Sequence, residues 1–242
     1  MTELRPFWRY YGGKWRAAPK YSAPRYGHIV EPFAGAAGYS LRHHRHAVTL
    51  VDAYPVIAGI WRYLIAVKPA EVLAIPLVDA VADLPSWVPQ EARWLVGMRL
   101  NQATTAPRAT LSAGLRTLRE TGRDVGWTAA ARDLVASQVD AVKHWRIIEG
   151  DYTAAPDVVA TWFVDPPYRN RAGSYYKHQP ANFEALGAWC CGRRGQVMVC
   201  ENAGADWLPF APFAETKAGP GRQPSREALW QNDPAPSLFG AR

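Results

Sequence analysis

The tetrapeptide Asp165-Pro166-Pro167-Tyr168 carries the groups needed to hold and activate an amino nitrogen. Its carboxylate can accept one amino hydrogen, and a neighbouring backbone carbonyl can accept the other. The prolines fix φ at roughly −65° and so hold these acceptors still. The amino nitrogen of a nucleobase is a poor nucleophile because its lone pair is delocalised into the ring, and fixed acceptors stabilise the charge that develops on it. The tyrosine offers a flat face for a base extruded from a duplex.

The position of this tetrapeptide favours a functional reading over a structural one. It directly follows the apolar run 160–164, which reads as a buried strand. Ligands of α/β folds bind beyond the carboxyl ends of the strands. The alternative is a strand that ends in an acidic turn and is merely stopped by two prolines.

A glycine-containing turn and an acidic residue indicate a nucleoside-containing cofactor. Residues 31–38 read Glu-Pro-Phe-Ala-Gly-Ala-Ala-Gly and follow the first predicted strand, where small residues let a cofactor approach the backbone. Asp52 ends the next strand, where a carboxylate can hold ribose hydroxyls. A nicotinamide dinucleotide would satisfy this pair as well, although the three-glycine spacing is not met. A tight turn beside a solvated carboxylate is the simpler alternative.

The segment 10–14, Tyr-Tyr-Gly-Gly-Lys, places a cation on a flexible turn, where Lys14 could pair with a carboxylate. It is not a phosphate-binding P-loop, because Trp8 replaces the earlier glycine and no Ser or Thr follows the lysine.

The apolar pattern predicts an α/β fold. Buried parallel strands are predicted at 28–33, 47–51 and 160–164, with further strands at 145–148 and 196–200. Helices are predicted at 54–67, 128–144 and 182–191, and a loop at 217–226. Because residues 68–126 are rich in Pro, Thr, Ala and Arg and have few long apolar runs, we predict an inserted lobe there. The catalytic domain would then comprise residues 1–67 and 127–242.

The composition and charge of the chain limit the kinds of partner that we expect. The net charge of +7 and the pI near 9.4 favour an anionic partner. No apolar run is long enough for a membrane span, so no membrane partner is expected. The three cysteines (Cys190, Cys191 and Cys200) cannot form a disulfide framework, which favours a reducing, cytoplasmic setting. The histidines near residue 44 have no second ligand cluster at metal-site spacing, so no metal is expected.

Taken together, these motifs resemble the Dam-like class of DNA adenine methyltransferases, particularly the small forms found in phages and prophages, and their order is the alpha order of that class. The resemblance spans nearly the whole chain. Its motifs, in sequence order, are 11–14, 31–35, Asp52, Glu-Gly-Asp-Tyr at 149–152, 165–168, Val-Cys-Glu-Asn at 199–202 and Glu-Ala-Leu-Trp at 227–230. One departure is Ala37, which occupies the second glycine position of the usual Phe-x-Gly-x-Gly.

The resemblance implies a Rossmann-like S-adenosylmethionine methyltransferase sheet with an inserted, mainly helical target-recognition lobe at 68–126. The implied activity is site-specific transfer of a methyl group from S-adenosyl-L-methionine to the N6 amino group of a flipped-out adenine in double-stranded DNA. Lys14 and residues 31–38 would embrace the methionine part, Asp52 the ribose and Asp151 the adenine. The implied catalytic residues are Asp165, Pro166, Pro167 and Tyr168. The implied cofactor-binding residues are Tyr11, Gly12, Lys14, Glu31, Phe33, Ala34, Gly35, Gly38, Asp52, Ala53, Asp151, Tyr152 and Asp165.

Arginines and tyrosines of the lobe and of the loop after the tetrapeptide are the predicted DNA contacts. They are Arg99, Arg108, Arg116, Arg119, Arg169, Arg171, Tyr175 and Tyr176. The arginines could equally cover a solvated helix, and the tyrosines could be ordinary core or rim residues. Two other functions remain open: methylation of adenine in RNA, and nucleic-acid binding by an inactive methyltransferase fold. The sequence leaves open the recognition site, a partner nuclease, the role of the mark and whether the chain is a monomer or a dimer.

Overall fold

The computed structural model describes residues 3–170, 173–216 and 225–232, which form a mixed α/β sheet flanked by helices. The strands are β1 (His28–Glu31), β2 (Ala47–Asp52), β3 (Arg146–Glu149), β4 (Ala160–Val164), β5 (Gly195–Asn202), β6 (Ala211–Thr216) and β7 (Ser225–Gln231). Their order is β3-β2-β1-β4-β5-β7-β6, and of the described strands only β7 runs against the others. This is the doubly wound Rossmann-like order, with β7 inserted between β5 and β6. The predicted fold class is therefore confirmed.

Seven α-helices are present in the described part of the chain. They are α1 (Gly38–Arg42), α2 (Pro55–Ala66), α3 (Pro69–Ala74), α4 (Gln90–Arg99), α5 (Ala113–Glu120), α6 (Ala129–Gln138) and α7 (Phe183–Cys191). Short 3-10 helices occupy Lys14–Arg16, Ala18–Lys20, Val81–Asp83, Val139–Val142, Tyr152–Ala154 and Gly173–Tyr175. None of the helices in these ranges has the length and apolar character required to cross a bilayer.

The ends of the elements follow from local chemistry. Strand β1 stops two residues before the predicted end, because Pro32 has no N–H to donate to a neighbouring strand. Helix α7 begins where Asn182 caps it, its side chain accepting a hydrogen bond from Ala185 N at 2.9 Å.

Two predicted elements were wrong in part. The single helix predicted at 128–144 ends at Gln138 and continues only as the 3-10 helix Val139–Val142. Of the loop predicted at 217–226, residues 217–224 lie outside the described residues. The last two residues belong to β7 instead, because they pair with β6.

The central strand β4 shows why the core has two sides. Thr161 and Phe163 face one side of the sheet and Trp162 and Val164 the other, and all four are buried. One cluster packs the first face against α1, α2 and α4, and the other packs the second face against α7. Burial on both faces explains the uninterrupted apolar run of this strand.

Helices α3, α4 and α5 lie within residues 68–126, the range predicted as an inserted lobe. Helix α4 packs on α2, and its Leu95 and Val96 share one hydrophobic cluster with Ile57 and Leu50. The lobe thus contributes to the same core as the sheet. Its boundaries at 68 and 126 remain a prediction.

Candidate active site

The strand order reverses between β1 and β4, which are neighbours in the sheet. The chain after β1 continues to β2 on one side, and the chain after β4 continues to β5 on the other. Crevices at the carboxyl ends of such strands are where open α/β sheets bind ligands. A cavity of about 420 Å³ lies here, within the size range of small-molecule sites, roughly 300 to 1,000 Å³.

All residues predicted from the family resemblance to bind the cofactor line this one cavity. They are Tyr11, Gly12, Lys14, Glu31, Phe33, Ala34, Gly35, Gly38, Asp52, Ala53, Asp151, Tyr152 and Asp165. They come from five separate stretches of sequence, four of which follow the carboxyl ends of β1, β2, β3 and β4. Of the tetrapeptide, Asp165 and Pro167 line the cavity, whereas Pro166 and Tyr168 do not.

An ion pair joins the start of the chain to the tetrapeptide. Lys14 Nζ lies 2.8 Å from Asp165 Oδ1 and donates to Oδ2 at 3.0 Å. Burial alone would lower the pKa of Lys14, but the Asp165 carboxylate opposes this, and the net effect raises that pKa well above its usual value. Burial raises the pKa of Asp165, and Lys14 works against that rise. The ammonium group therefore keeps Asp165 available as a hydrogen-bond acceptor.

The position of Lys14 depends on Gly38. A Cβ atom on Gly38 would lie 2.9 Å from the carbonyl carbon of Lys14 and closer still to Trp15 N. The absence of a side chain lets the backbone of Lys14 and Trp15 pack directly on the first turn of α1. The glycine turn thus supports the cation as well as the cavity wall.

Two residues of the same turn adopt left-handed backbone conformations. Gly35 has φ +44° and Ala37 has φ +48°. Glycine tolerates this region, whereas alanine pays a steric cost there. The departure from the family pattern at Ala37 therefore occurs where the backbone favours glycine.

Asp52 occupies the position predicted to hold a ribose. Its Oδ2 accepts a hydrogen bond from Gly35 N and its Oδ1 one from Tyr54 N, each at 2.9 Å. Burial raises the pKa of Asp52 to about 6. A carboxylate has about four acceptor sites, so both oxygens keep capacity for hydroxyl donors. The acidic residue fits a nucleoside cofactor.

One end of the cavity is aromatic. The rings of Phe33 and Tyr152 lie 5.9 Å apart at an interplanar angle of 29°. Beside them, Asp151 accepts hydrogen bonds from the backbone and the hydroxyl of Thr153. A flat apolar wall next to a carboxylate suits a purine that carries an amino group.

Glu31 is almost completely buried at the other end of the glycine turn, where its Oε1 accepts a hydrogen bond from Ser40 N at 2.7 Å. Burial raises the pKa of Glu31 to about 8. In its ionised form this side chain could receive a ligand ammonium group. Within the described ranges, no group of three or more His, Cys, Asp or Glu side chains is arranged to hold a metal ion.

A side chain of β5 fixes the backbone that directly follows the tetrapeptide. The carboxylate of Glu201 accepts hydrogen bonds from Arg169 N and Asn202 N, both at 2.6 Å, and is almost completely buried. The backbone directly after Tyr168 is thereby fixed to the neighbouring strand. Sequence reasoning noted Glu201 only as part of a motif. An acidic residue directly after the predicted strand 196–200 was the available signal.

Four aromatic and imidazole side chains of the cavity were not predicted as site residues. They are Tyr10, Tyr54, Phe163 and His178. Tyr10 precedes the Gly12-Gly13 turn, and the ring of Tyr54 lies 5.6 Å from that of His178. Neither Tyr54 nor His178 carries a local signal, because only the fold brings the end of β2 to the loop after β4.

The predicted DNA contacts of the lobe differ in exposure and in pairing. Arg108 and Arg116 are exposed, and their side chains have no ion-pair partner among the described residues. Arg119 binds both carboxylate oxygens of Asp79 at 2.7 Å. Arg99 is mostly covered and lines a second cavity. Of these four arginines, Arg108 and Arg116 therefore present unopposed charge on the surface.

In the loop after the tetrapeptide, some of the predicted DNA-contacting side chains already form contacts within the protein. The Arg169 side chain pairs with Glu184 and Asp206, at 3.1 and 3.2 Å. Tyr175 is exposed, whereas Tyr176 lines the first cavity and donates a hydrogen bond to Tyr11 O at 2.8 Å. Arg171 lies outside the described residues.

No protein-family model and no curated protein matches this chain. Among solved structures, the chain is similar to one described as "Putative methyltransferase yhhF from Escherichia coli", with 12% identity, a TM-score of 0.34, and coverage of 84% of this chain and 74% of that one. It is also similar to a conserved hypothetical protein of Streptococcus pyogenes, with 12% identity, a TM-score of 0.34, and coverage of 85% and 86%. Similarities this weak support no inference about what the chain does.

Proposed function

We propose that this chain is an S-adenosylmethionine-dependent methyltransferase that modifies the N6 amino group of adenine in double-stranded DNA. The observation that carries the proposal is the contact between Asp165 and Lys14 in the wall of a cavity that also contains Asp52 and the glycine turn. An acceptor carboxylate next to a nucleoside-type pocket is the arrangement that methyl transfer to an amino group requires.

The cofactor would supply a methyl group bound to a positively charged sulfur. Asp52 would accept hydrogen bonds from its ribose hydroxyls, and Phe33 and Tyr152 would cover its purine. Glu31 would receive its ammonium group. These roles divide the cavity into an acidic nucleoside end and an acidic amino-acid end, with small residues between them.

In this proposal, Asp165 accepts a hydrogen bond from the adenine amino group and draws the nitrogen lone pair out of conjugation with the ring. The bound cofactor would supply the methyl group: the nitrogen would bond to its methyl carbon as the carbon–sulfur bond breaks, with the electron pair going to sulfur. The nitrogen would finally lose one proton, and Asp165 is the only carboxylate of the tetrapeptide that could accept it. Lys14 holds the carboxylate in place during these steps.

The preference for DNA rests on charge and on family resemblance. The net charge of +7 supports a polyanionic acceptor, and Arg108 and Arg116 are exposed on the inserted lobe. An aspartate at the first position of the tetrapeptide favours adenine over cytosine by that resemblance.

The experiment is to incubate the purified chain with methyl-labelled S-adenosylmethionine and, in separate reactions, duplex DNA, single-stranded DNA and RNA. We expect label in duplex DNA, recovered as N6-methyladenine after digestion and mass spectrometry. Transfer to RNA alone would replace the substrate assignment. Cofactor binding without transfer to any of the three acceptors would contradict the proposed activity.

A further inference from the structure

A second cavity, of about 330 Å³, lies between the N-terminal segment, the end of α4 and the first turn of α6. Three arginines line it, namely Arg5, Arg9 and Arg99, together with a single acidic residue, Asp124. Nothing in the proposed methyl transfer uses this cavity.

Arg99 is the innermost of the three cations. Its Nη2 donates to Ala131 O at 3.3 Å, whereas its Nε is enclosed and has no hydrogen-bond partner among the described residues. Burial lowers the pKa of Arg99 to about 10, and the charge of Arg9 adds to this effect. The guanidinium group therefore stays charged at neutral pH. The Asp124 carboxylate raises its pKa, but no salt bridge joins the two among the described residues. A covered charge of this kind is costly unless a counter-charge binds it.

The remaining groups of the cavity add positive charge. Arg5 and Arg9 are exposed, and neither has an ion-pair partner in the part of the chain that the structure describes. The first turn of α6, which is ten residues long and is capped by the Thr128 side chain, contributes the positive end of the helix dipole. Asp124 is exposed and forms no salt bridge with the arginines within the described ranges. Three cations thus oppose one carboxylate.

We propose that this cavity binds a phosphate group. A phosphate has several acceptor oxygens, which match the forked donors of arginine, and a negative charge, which the start of a helix favours. Arg9 lines this cavity and the next residue, Tyr10, lines the first one. A phosphate bound here would therefore be adjacent, through one peptide bond, to the proposed active site. The phosphate could belong to a DNA backbone or be inorganic, and both share this chemistry.

The first test is titration of the full-length chain with inorganic phosphate against chloride at matched ionic strength, followed by calorimetry. No methyl donor is present, so the result does not depend on methyl transfer. We expect Arg99→Gln and Arg9→Gln to bind phosphate at least about tenfold more weakly, the effect of losing one charge-assisted hydrogen bond. Arg146→Gln is the matched control, because it removes an exposed arginine on β3 outside the cavity.

The second test is binding of a short DNA duplex at several salt concentrations. If a backbone phosphate is the ligand, Arg9→Gln should reduce the slope of log affinity against log salt by about 1. If the slope is unchanged but phosphate binding falls, the ligand is a small phosphate. Because Arg9 is exposed, its variant remains informative even if Arg99→Gln unfolds. Equal binding of phosphate and duplex by wild type, Arg9→Gln and Arg146→Gln would overturn the proposal.

Discussion

Lys14 Nζ contacts Asp165 Oδ1 at 2.8 Å, although 151 residues separate the two in the chain. The pair links the segment before β1 to the residue that directly follows β4, and both side chains line the cavity at the carboxyl ends of the strands. It makes the protonation state of Asp165 depend on a residue from another part of the sequence.

Replacing Lys14 should therefore impair methyl transfer through Asp165. Lys14→Gln removes the cation that opposes the burial-induced rise in the pKa of Asp165, so that pKa should rise further. At neutral pH more of the carboxyl group would be protonated, and we expect transfer to slow by about tenfold or more. Steady-state assays with labelled cofactor measure this change. Arg16→Gln, an exposed basic residue in the same 3-10 helix, is the control.

The pH profile separates this effect from loss of cofactor contacts. The acid limb of the kcat profile should move to higher pH in Lys14→Gln, with partial recovery of activity under alkaline conditions. An unshifted profile with a uniformly lower rate would mean that Lys14 does not act on Asp165.

Cofactor affinity should depend on pH through Asp52. Burial raises the pKa of this carboxyl group to about 6, and ribose hydroxyls would donate to its ionised form. Affinity should thus increase as the pH rises from about 5 to about 7, and the ionisation of Glu31 should add a separate increase near pH 8. Calorimetry across this range measures the change. Asp52→Asn should bind more weakly and without the first increase, and an unchanged pH dependence in that variant would show that another group is responsible.

Ala37→Gly should stabilise the fold. Alanine at φ +48° carries a steric cost that glycine does not, partly offset by the greater freedom of glycine in the unfolded chain. We expect the free energy of unfolding to increase by up to about 1 kcal/mol, measured by denaturant titration. Ala36→Gly, at the neighbouring position without positive φ, should be destabilising. Equal effects of the two substitutions would contradict the strain at Ala37.

Glu201 should act as a positioning residue for the tetrapeptide. Glu201→Ala leaves the N–H groups of Arg169 and Asn202 without their acceptor, which loosens the backbone that follows Tyr168. We predict a fall in kcat of at least about tenfold with little change in cofactor affinity. Glu201→Gln, which keeps one acceptor oxygen, should recover part of the loss. A parallel loss of cofactor binding would point to general unfolding instead.

The elements that the sequence predicts correctly have strong local signals. Strands β2 and β4 are short apolar runs with turns or prolines after them, and their carboxyl ends determine where Asp52 and Asp165 lie. Strands β6 and β7 were not predicted. Strand β6 contains Pro212 and its residues are mostly not buried, so it lacks a clear apolar alternation.

The ion pairs that neutralise some of the predicted DNA-contacting arginines could not be predicted from the sequence. Arg119 was expected to be available for DNA, but its partner Asp79 lies 40 residues away in the sequence. Arg169 similarly meets Asp206, 37 residues away. Such pairs depend on which surfaces the fold brings together, and hydrophobic periodicity carries no information about them.

The most direct measurement is single-turnover methyl transfer to duplex DNA by Asp165→Ala at saturating S-adenosylmethionine, with cofactor affinity measured on the same protein. The proposed mechanism predicts that transfer falls by roughly 100-fold or more, because the acceptor for the amino hydrogen is gone, while the variant still binds the cofactor. Transfer at the wild-type rate would contradict the catalytic assignment of Asp165.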